Sequence, residues 1–258
     1  MSRLLTGRRV VNTRALHQAD ELSIALRSAG AIPISYPCIA IKLPDDRSEL
    51  RQSLRDLADG SYDWLLLTSV NAVQALVSIG IDVPENQRFS VAAVGPATRT
   101  AAERLLGVNV HIVPEVQTGA DLARAIPNVE GKRFLLPVSD IARPETAELL
   151  SKRGGKVTTV AAYSTVSGCG GDDLPAMFRR AETIDAIVFT SPSTVDGFIT
   201  RLKKEEGWSD SIVDLPAVCM GSSSAETARA RRFRHVSASV EPTVPSLIST
   251  LAAMRPSW

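Results

Sequence analysis

The sequence has few of the residues that usually announce a cofactor. Its three cysteines, Cys38, Cys169 and Cys219, are far apart and form no CxxC pair. That excludes a zinc ribbon or a thioredoxin-type motif and leaves reduced thiols in the core or in loops. The three histidines, His17, His111 and His235, stand alone with no HxH or HExxH, so no metal centre is expected. No GxGxxG follows the first strand-like segment and there is no GxxxxGK[ST], which argues against a dinucleotide or a P-loop nucleotide. The formal charge is only +1, so no bulk basic field points to nucleic acid. No stretch approaches the roughly 20 apolar residues that span a bilayer. The opening MSRLLTGRRVVNTR lacks the apolar segment of a secretory signal. The expected location is therefore cytoplasmic, or an organelle stroma if a transit peptide is removed, with no membrane partner.

What the sequence does contain is itself, twice. LLLTSVNAV (65–73) resembles IVFTSPSTV (187–195), and VAAVGPATRTAAERL (91–105) resembles AVCMGSSSAETARAR (217–231). Thr68 matches Thr190, Gly95 matches Gly221, Gly30 matches Gly155 and Leu122 matches Leu247. Each pair is roughly 125 residues apart, too long for a solenoid repeat and right for a duplicated domain. A chain of 258 residues has room for two domains of ordinary size.

Within each half, short runs rich in Val, Ile and Leu (RRVVNTR, WLLLTS, SVAAVG, NVHIVP) alternate with segments of helical periodicity. Ala15–Ala29 is such a segment, with apolar Leu16, Ala19, Leu22, Ile24, Leu26 and Ala29. The alternation predicts α/β architecture: two flavodoxin-like domains, each a parallel sheet with helices on both faces. The boundary has two readings. One is a simple cut at PNVEG, near 128–131. The other treats YPCIAIKLP (36–44) and AAYSTVSGCGG (161–171) as two crossing linkers, which makes the domains 1–38 plus 167–258 and 39–166.

Ligands of parallel α/β sheets bind at the carboxyl ends of the strands, where loops lead into helix N-termini. Six such joins carry small hydroxyl or amide side chains: Thr13-Arg14, Thr68 to Asn71, Gly95 to Thr98, Ser139-Asp140, Thr190 to Thr194 and Gly221 to Ser224. Taken singly, each is an ordinary helix N-cap. Taken together, they fit a cleft between the domains lined by N–H and hydroxyl donors, suited to a ligand with many negative charges. Arg14 and Arg143 are either surface charges or carboxylate clamps. Asp63 and Asp185 precede strands and read as solvated strand starters. RARRFRH (229–235) reads as cations at a helix C-terminus. Tyr163, one of three tyrosines, lies in the second linker candidate, where it either packs or serves as an acid.

TSVNAV, VAAVGPAT, LLPVSDIAR, VAAYSTV and DAIVFTSPSTVDGF, in this order, resemble the uroporphyrinogen-III synthase family over nearly the whole chain. The resemblance implies two flavodoxin-like domains on a two-stranded linker, with the discontinuous boundary given above. It implies hydroxymethylbilane, a linear tetrapyrrole with eight carboxylates, as substrate, and uroporphyrinogen III as product. The reaction implied is loss of the terminal hydroxyl as water, then ring closure with inversion of the last pyrrole through a spiro intermediate, with no cofactor. Tyr163 matches the linker tyrosine, the candidate acid. The candidate substrate-binding residues are Thr13, Arg14, Ser69, Asn71, Ala72, Thr98, Ser139, Asp140, Arg143, Ser191, Ser193, Thr194, Ser222, Ser223 and Ser224.

Two positions depart from the family pattern. Val138 stands where Arg is common, and Ser222 to Ser224 stand where Pro is common after Gly221. The rival readings are a non-catalytic two-domain sensor of polyanions or tetrapyrroles, and a transferase or isomerase acting on sugar phosphates. A thin linker favours a monomer.

Overall fold

The computed structural model describes residues 4–80 and 87–254. The strands are β1 (Arg9–Asn12), β2 (Ile32–Ser35), β3 (Ile39–Lys42), β4 (Trp64–Leu67), β5 (Ser90–Ala93), β6 (Arg133–Ser139), β7 (Lys156–Ser167), β8 (Ala186–Phe189), β9 (Ala217–Cys219) and β10 (Val236–Ala238). The helices are α1 (Ala19–Ser28), α2 (Ser48–Ala58), α3 (Val70–Ile79), α4 (Pro96–Leu106), α5 (Gly119–Ala125), α6 (Glu145–Lys152), α7 (Leu174–Arg179), α8 (Pro192–Lys204), α9 (Ser222–Ala230) and α10 (Val244–Ala253). The chain divides into two compact units, residues 1–40 with 166–258 and residues 41–165.

The first unit carries a sheet of order β10-β9-β8-β1-β2, and the second a sheet of order β3-β7-β6-β4-β5. The pairings whose registers are defined are parallel. Read outward from the middle, β8 and β1 of the first sheet correspond to β4 and β6 of the second. The repeat legible in the sequence is thus a repeat of topology, with the chain entering the first unit one βαβ element earlier.

The amino ends of the sheets match as well. Asp63 Oδ2 accepts the Arg133 N–H at 2.8 Å, and Asp185 Oδ2 accepts the Arg9 N–H at 2.6 Å. In each unit the carboxylate before the β4-type strand closes an otherwise open N–H on its neighbour. The Arg133 N–H bond holds the Asp63 carboxyl below its usual range.

Burial follows the expected periods. β8 is buried at all four residues, which a sheet covered on both faces requires. In α2, Leu50, Leu54 and Leu57 fall on one face and are buried. Fully burying each such side chain contributes about 1.5–3 kcal/mol.

Two expectations need correction. The segment Ala15–Ala29 opens as a 3₁₀ turn at Leu16–Gln18 before α1 begins, and Leu16 and Ile24 are 63% and 61% exposed. Ile24 lies two residues from both Leu22 and Leu26, so it points away from the face they bury. NVHIVP forms no full strand and only a bridge between Ile112 and Ala92. There the His111 ring Nδ1 accepts the Val91 N–H at 3.2 Å, a donor that a regular ladder needs from the backbone.

In the first unit the segments around residues 35–39 and 168–172 are held together by close backbone packing. The Arg201 guanidinium, 7% exposed, donates to the Pro37 carbonyl at 2.6 Å and the Gly170 carbonyl at 2.9 Å. It also pairs with Glu205 at 2.8 Å and lies 3.9 Å over the Tyr36 ring. The Tyr36 hydroxyl donates to Glu205 Oε2 at 2.7 Å. Gly197 on α8 touches the Cys38 backbone so closely that a Cβ there would overlap it. All three cysteines are free thiols, with Cys38 and Cys219 buried and Cys169 exposed. Burial pushes the Cys219 thiol up to about 12.

Candidate active site

The carboxyl edge of the second unit gathers a linked set of polar groups. β4 ends in a buried run, the chain turns through Thr68, and Ser69 caps α3 with its Oγ accepting the Ala72 N–H at 3.0 Å. This is the N-cap role for which serine is favoured, because it satisfies one of the helix's open donors. The same Ser69 Oγ lies 3.0 Å from Tyr163 Oη. Tyr163 comes from β7 and is 8% exposed.

Burial pushes the Tyr163 phenol above its ordinary value. Hydrogen bonds from Ser69 and Asn71 work against this, and the Asp140 charge adds to it. The net shift is upward, so the phenol is a proton donor throughout the neutral range.

The pairing of β6 with β7 shifts register between Val138 and Ser139, which sets Ser139 opposite Tyr163. Such an irregularity re-aims the side chains beyond it. The Asp140 N–H donates to the Tyr163 carbonyl at 3.0 Å. Asp140 Oδ1 accepts from Ser139 Oγ at 3.0 Å and from the Thr165 N–H at 3.2 Å. Thr165 was not singled out by the sequence, although it lies two residues from Tyr163 on a strand and so shares its face. Val138 is half-buried and packs on the core beside Leu136 and Phe134.

At the next join Gly95 is the extended N-cap of α4 and no side chain caps that helix. The Gln117 side chain occupies the space a Cβ on Gly95 would need. Thr98 is buried. Arg143 is exposed and forms no ion pair among the described residues.

In the first unit the joins are more inward-facing than expected. Thr13 is fully buried and its Oγ1 donates to the Val188 carbonyl at 2.6 Å, so its side chain ties β1 to β8 and is not free for a ligand. Thr194 is buried in a capping box with Ser191, which itself lies 2.9 Å from Ser193 Oγ. Ser224 is also buried, while Ser222 and Ser223 are exposed at the start of α9. Thr13, Thr98, Thr194 and Ser224 are thus buried residues, whereas Ser222 and Ser223 are open to solvent. Arg14 pairs with Glu21 at 3.0 Å, and its Nε is buried without a hydrogen-bond partner among the described residues.

The basic cluster of residues 229–235 lies elsewhere. Arg231, Arg232 and Arg234 line an open groove of about 740 Å³ with Lys203 and Trp208, around the C-terminal ends of α8 and α9. Arg231 is paired with Asp196 at 2.7 Å and Arg234 with Asp214 at 2.6 Å. Among the described residues no three His, Cys, Asp or Glu side chains are grouped to hold a metal, and no helix is long and apolar enough to cross a membrane.

Two α/β units with parallel sheets, each with polar turns at its carboxyl edge and one with a buried phenol there, define the class. The family described as "Uroporphyrinogen-III synthase HemD" matches residues 20–249, and the chain belongs to it. The "Porphyrin biosynthesis protein HemD" of Ruminiclostridium josui is 29% identical, over 97% of this chain and 49% of its own length. This chain thus spans about half of that relative. The "Uroporphyrinogen-III synthase" of Synechococcus elongatus is also 29% identical, over 87% of each chain. The fold is shared with the uroporphyrinogen III synthase structure from Thermus thermophilus, at 21% identity, 94% and 96% coverage and a TM-score of 0.64. It is shared also with the Helicobacter pylori structure, at 12% identity, 97% and 100% coverage and a TM-score of 0.60.

Proposed function

We propose that the chain is a uroporphyrinogen-III synthase, a hydro-lyase that dehydrates and cyclises hydroxymethylbilane with inversion of the terminal pyrrole. The observation that carries this reading is the buried Tyr163 phenol, kept protonated and held 3.0 Å from Ser69 Oγ at the carboxyl edge of its sheet.

In this reading the pyrrole nitrogen pushes out the hydroxyl of the terminal CH₂OH while Tyr163 donates a proton to it, so that it leaves as water. Ser69 and Asn71 then hold the resulting phenolate until ring closure returns a proton. The polar turns hold substrate carboxylates through N–H groups and exposed hydroxyls, which is where Ser193, Ser222 and Ser223 serve. The larger task is to keep a flexible tetrapyrrole in one curled conformation, since free closure gives isomer I. Orientation of this kind supplies much of the rate. The protein acts without a cofactor, as a monomer with domains 1–38 plus 167–258 and 39–166, in the cytoplasm or a stroma.

The test is to supply freshly generated hydroxymethylbilane, oxidise the products and separate the porphyrin isomers. Predominantly isomer III, at a rate proportional to protein, supports the reading. Isomer I at the protein-free rate overturns it.

A further inference from the structure

We propose that Asp140 is the counter-ion of the cation formed when the hydroxyl leaves, and not a holder of the substrate's carboxylates. The inference rests on the synthase reading above.

Asp140 is exposed at the turn after β6, and its backbone N–H is bonded to the carbonyl of Tyr163. Its carboxylate is fixed through one oxygen only. Oδ1 takes the Ser139 hydroxyl and the Thr165 N–H, at 3.0 and 3.2 Å. Among the described residues Oδ2 accepts no hydrogen bond and no Lys or Arg pairs with Asp140; Arg143, three residues on, does not turn back to it. The Asp140 charge also acts on the Tyr163 phenol, adding to its upward shift. The site therefore holds an unpaired negative charge, oriented by two donors, within electrostatic reach of the proposed acid.

A carboxylate in that place repels a substrate bearing eight carboxylates. It gains an attractive partner only when positive charge develops. Loss of water creates that charge. The C–O bond breaks, its electron pair leaves with the oxygen, and the oxygen takes the proton of Tyr163. The pyrrole nitrogen lone pair forms a C=N bond within the ring, and the displaced ring π electrons form an exocyclic C=C bond to the CH₂, leaving an azafulvenium cation. An oriented anion beside this ring favours the transition state over the ground state, the condition for raising turnover and not merely affinity. The later loss of a ring proton on closure restores the phenol and removes the cation.

The test is Asp140→Asn in the full chain. Asparagine keeps an oxygen for the Thr165 N–H, and its melting temperature should match that of the parent protein. The expected result is a kcat lower by about tenfold or more, with KM unchanged or lower because repulsion is removed. Asp140→Glu should recover part of the kcat. A second readout needs no substrate: tyrosine-ring NMR, with Tyr163 assigned through Tyr163→Phe, should show the phenol titrating at lower pH in the Asn variant.

A kcat within twofold of the parent, or a raised KM with unchanged kcat, overturns the proposal and returns Asp140 to binding. An unmoved Tyr163 titration also overturns it. A parent protein that gives no isomer III sinks the synthase reading, and this proposal with it; an active parent and an equally active Asn variant sink the proposal alone.

Discussion

Ser69 Oγ stands 3.0 Å from Tyr163 Oη while accepting the Ala72 N–H at 3.0 Å, so one hydroxyl both caps α3 and touches the phenol. A helix N-terminus is thereby connected to the proposed acid through a single oxygen. The partial positive charge at that terminus favours any negative charge that builds on the phenol.

Removing the phenol oxygen isolates the chemistry from the fold. Tyr163→Phe keeps the buried ring and leaves the Ser69 cap intact. Turnover of hydroxymethylbilane to isomer III should fall by about a hundredfold, with an unchanged melting temperature. Unchanged turnover would rule out the acid role.

Ser69→Ala removes the cap and the Tyr163 partner together. The loss of stability should be about 1 kcal/mol, as for other serine caps, measured by denaturant titration. Because Ser69 lowers the phenol's pKa and Ala does not, Tyr163 should ionise at still higher pH in the variant. Ser69→Thr should restore both properties.

Asp63 gives a pH signature of folding. Its folded pKa is depressed, so its contribution is fully present above the unfolded value of about 3.9 and is lost as pH falls through the lower folded value. Asp63→Asn should lower stability at pH 7 by about 1 kcal/mol. The gap to the parent should close as the pH is lowered toward 2. A gap independent of pH would mean that the carboxylate is not what closes the Arg133 N–H.

Arg201 has partners that no other side chain can serve at once. Arg201→Met leaves the Pro37 and Gly170 carbonyls without their donor and Glu205 without its cation. The expected destabilisation is about 3 kcal/mol. Lysine should rescue little of it, since it lacks the planar fork that bonds both carbonyls and stacks on Tyr36. Equal stability of the Lys variant and the parent would show that charge alone suffices.

Much of this architecture was legible because it depends on local pattern. The buried β8 run AIVF, the α2 leucines at helical spacing and the Thr-Ser joins at matched positions are properties of adjacent residues, and they determined the α/β class and the duplication. Ser69 could be named from its place before a helix, because capping is decided within four residues.

Tertiary structure decided what each hydroxyl faces. Thr13 and Ser193 look alike in sequence, yet Thr13 is spent on the Val188 carbonyl, 175 positions away, while Ser193 stays at the edge. The register shift at Val138 and Ser139 brings Asp140 and Thr165 beside Tyr163, and no local signal marks it. The strand-like NVHIVP pairs with β5 only by the bridge at Ile112, and the Val91 N–H goes to the His111 ring and not to a backbone carbonyl. Such outcomes depend on which distant partner satisfies a buried polar group, since each donor and acceptor removed from water must find one. The sequence by itself therefore determined the layers and the joins. The packed structure determined which of their hydroxyls are buried and which stay open to solvent.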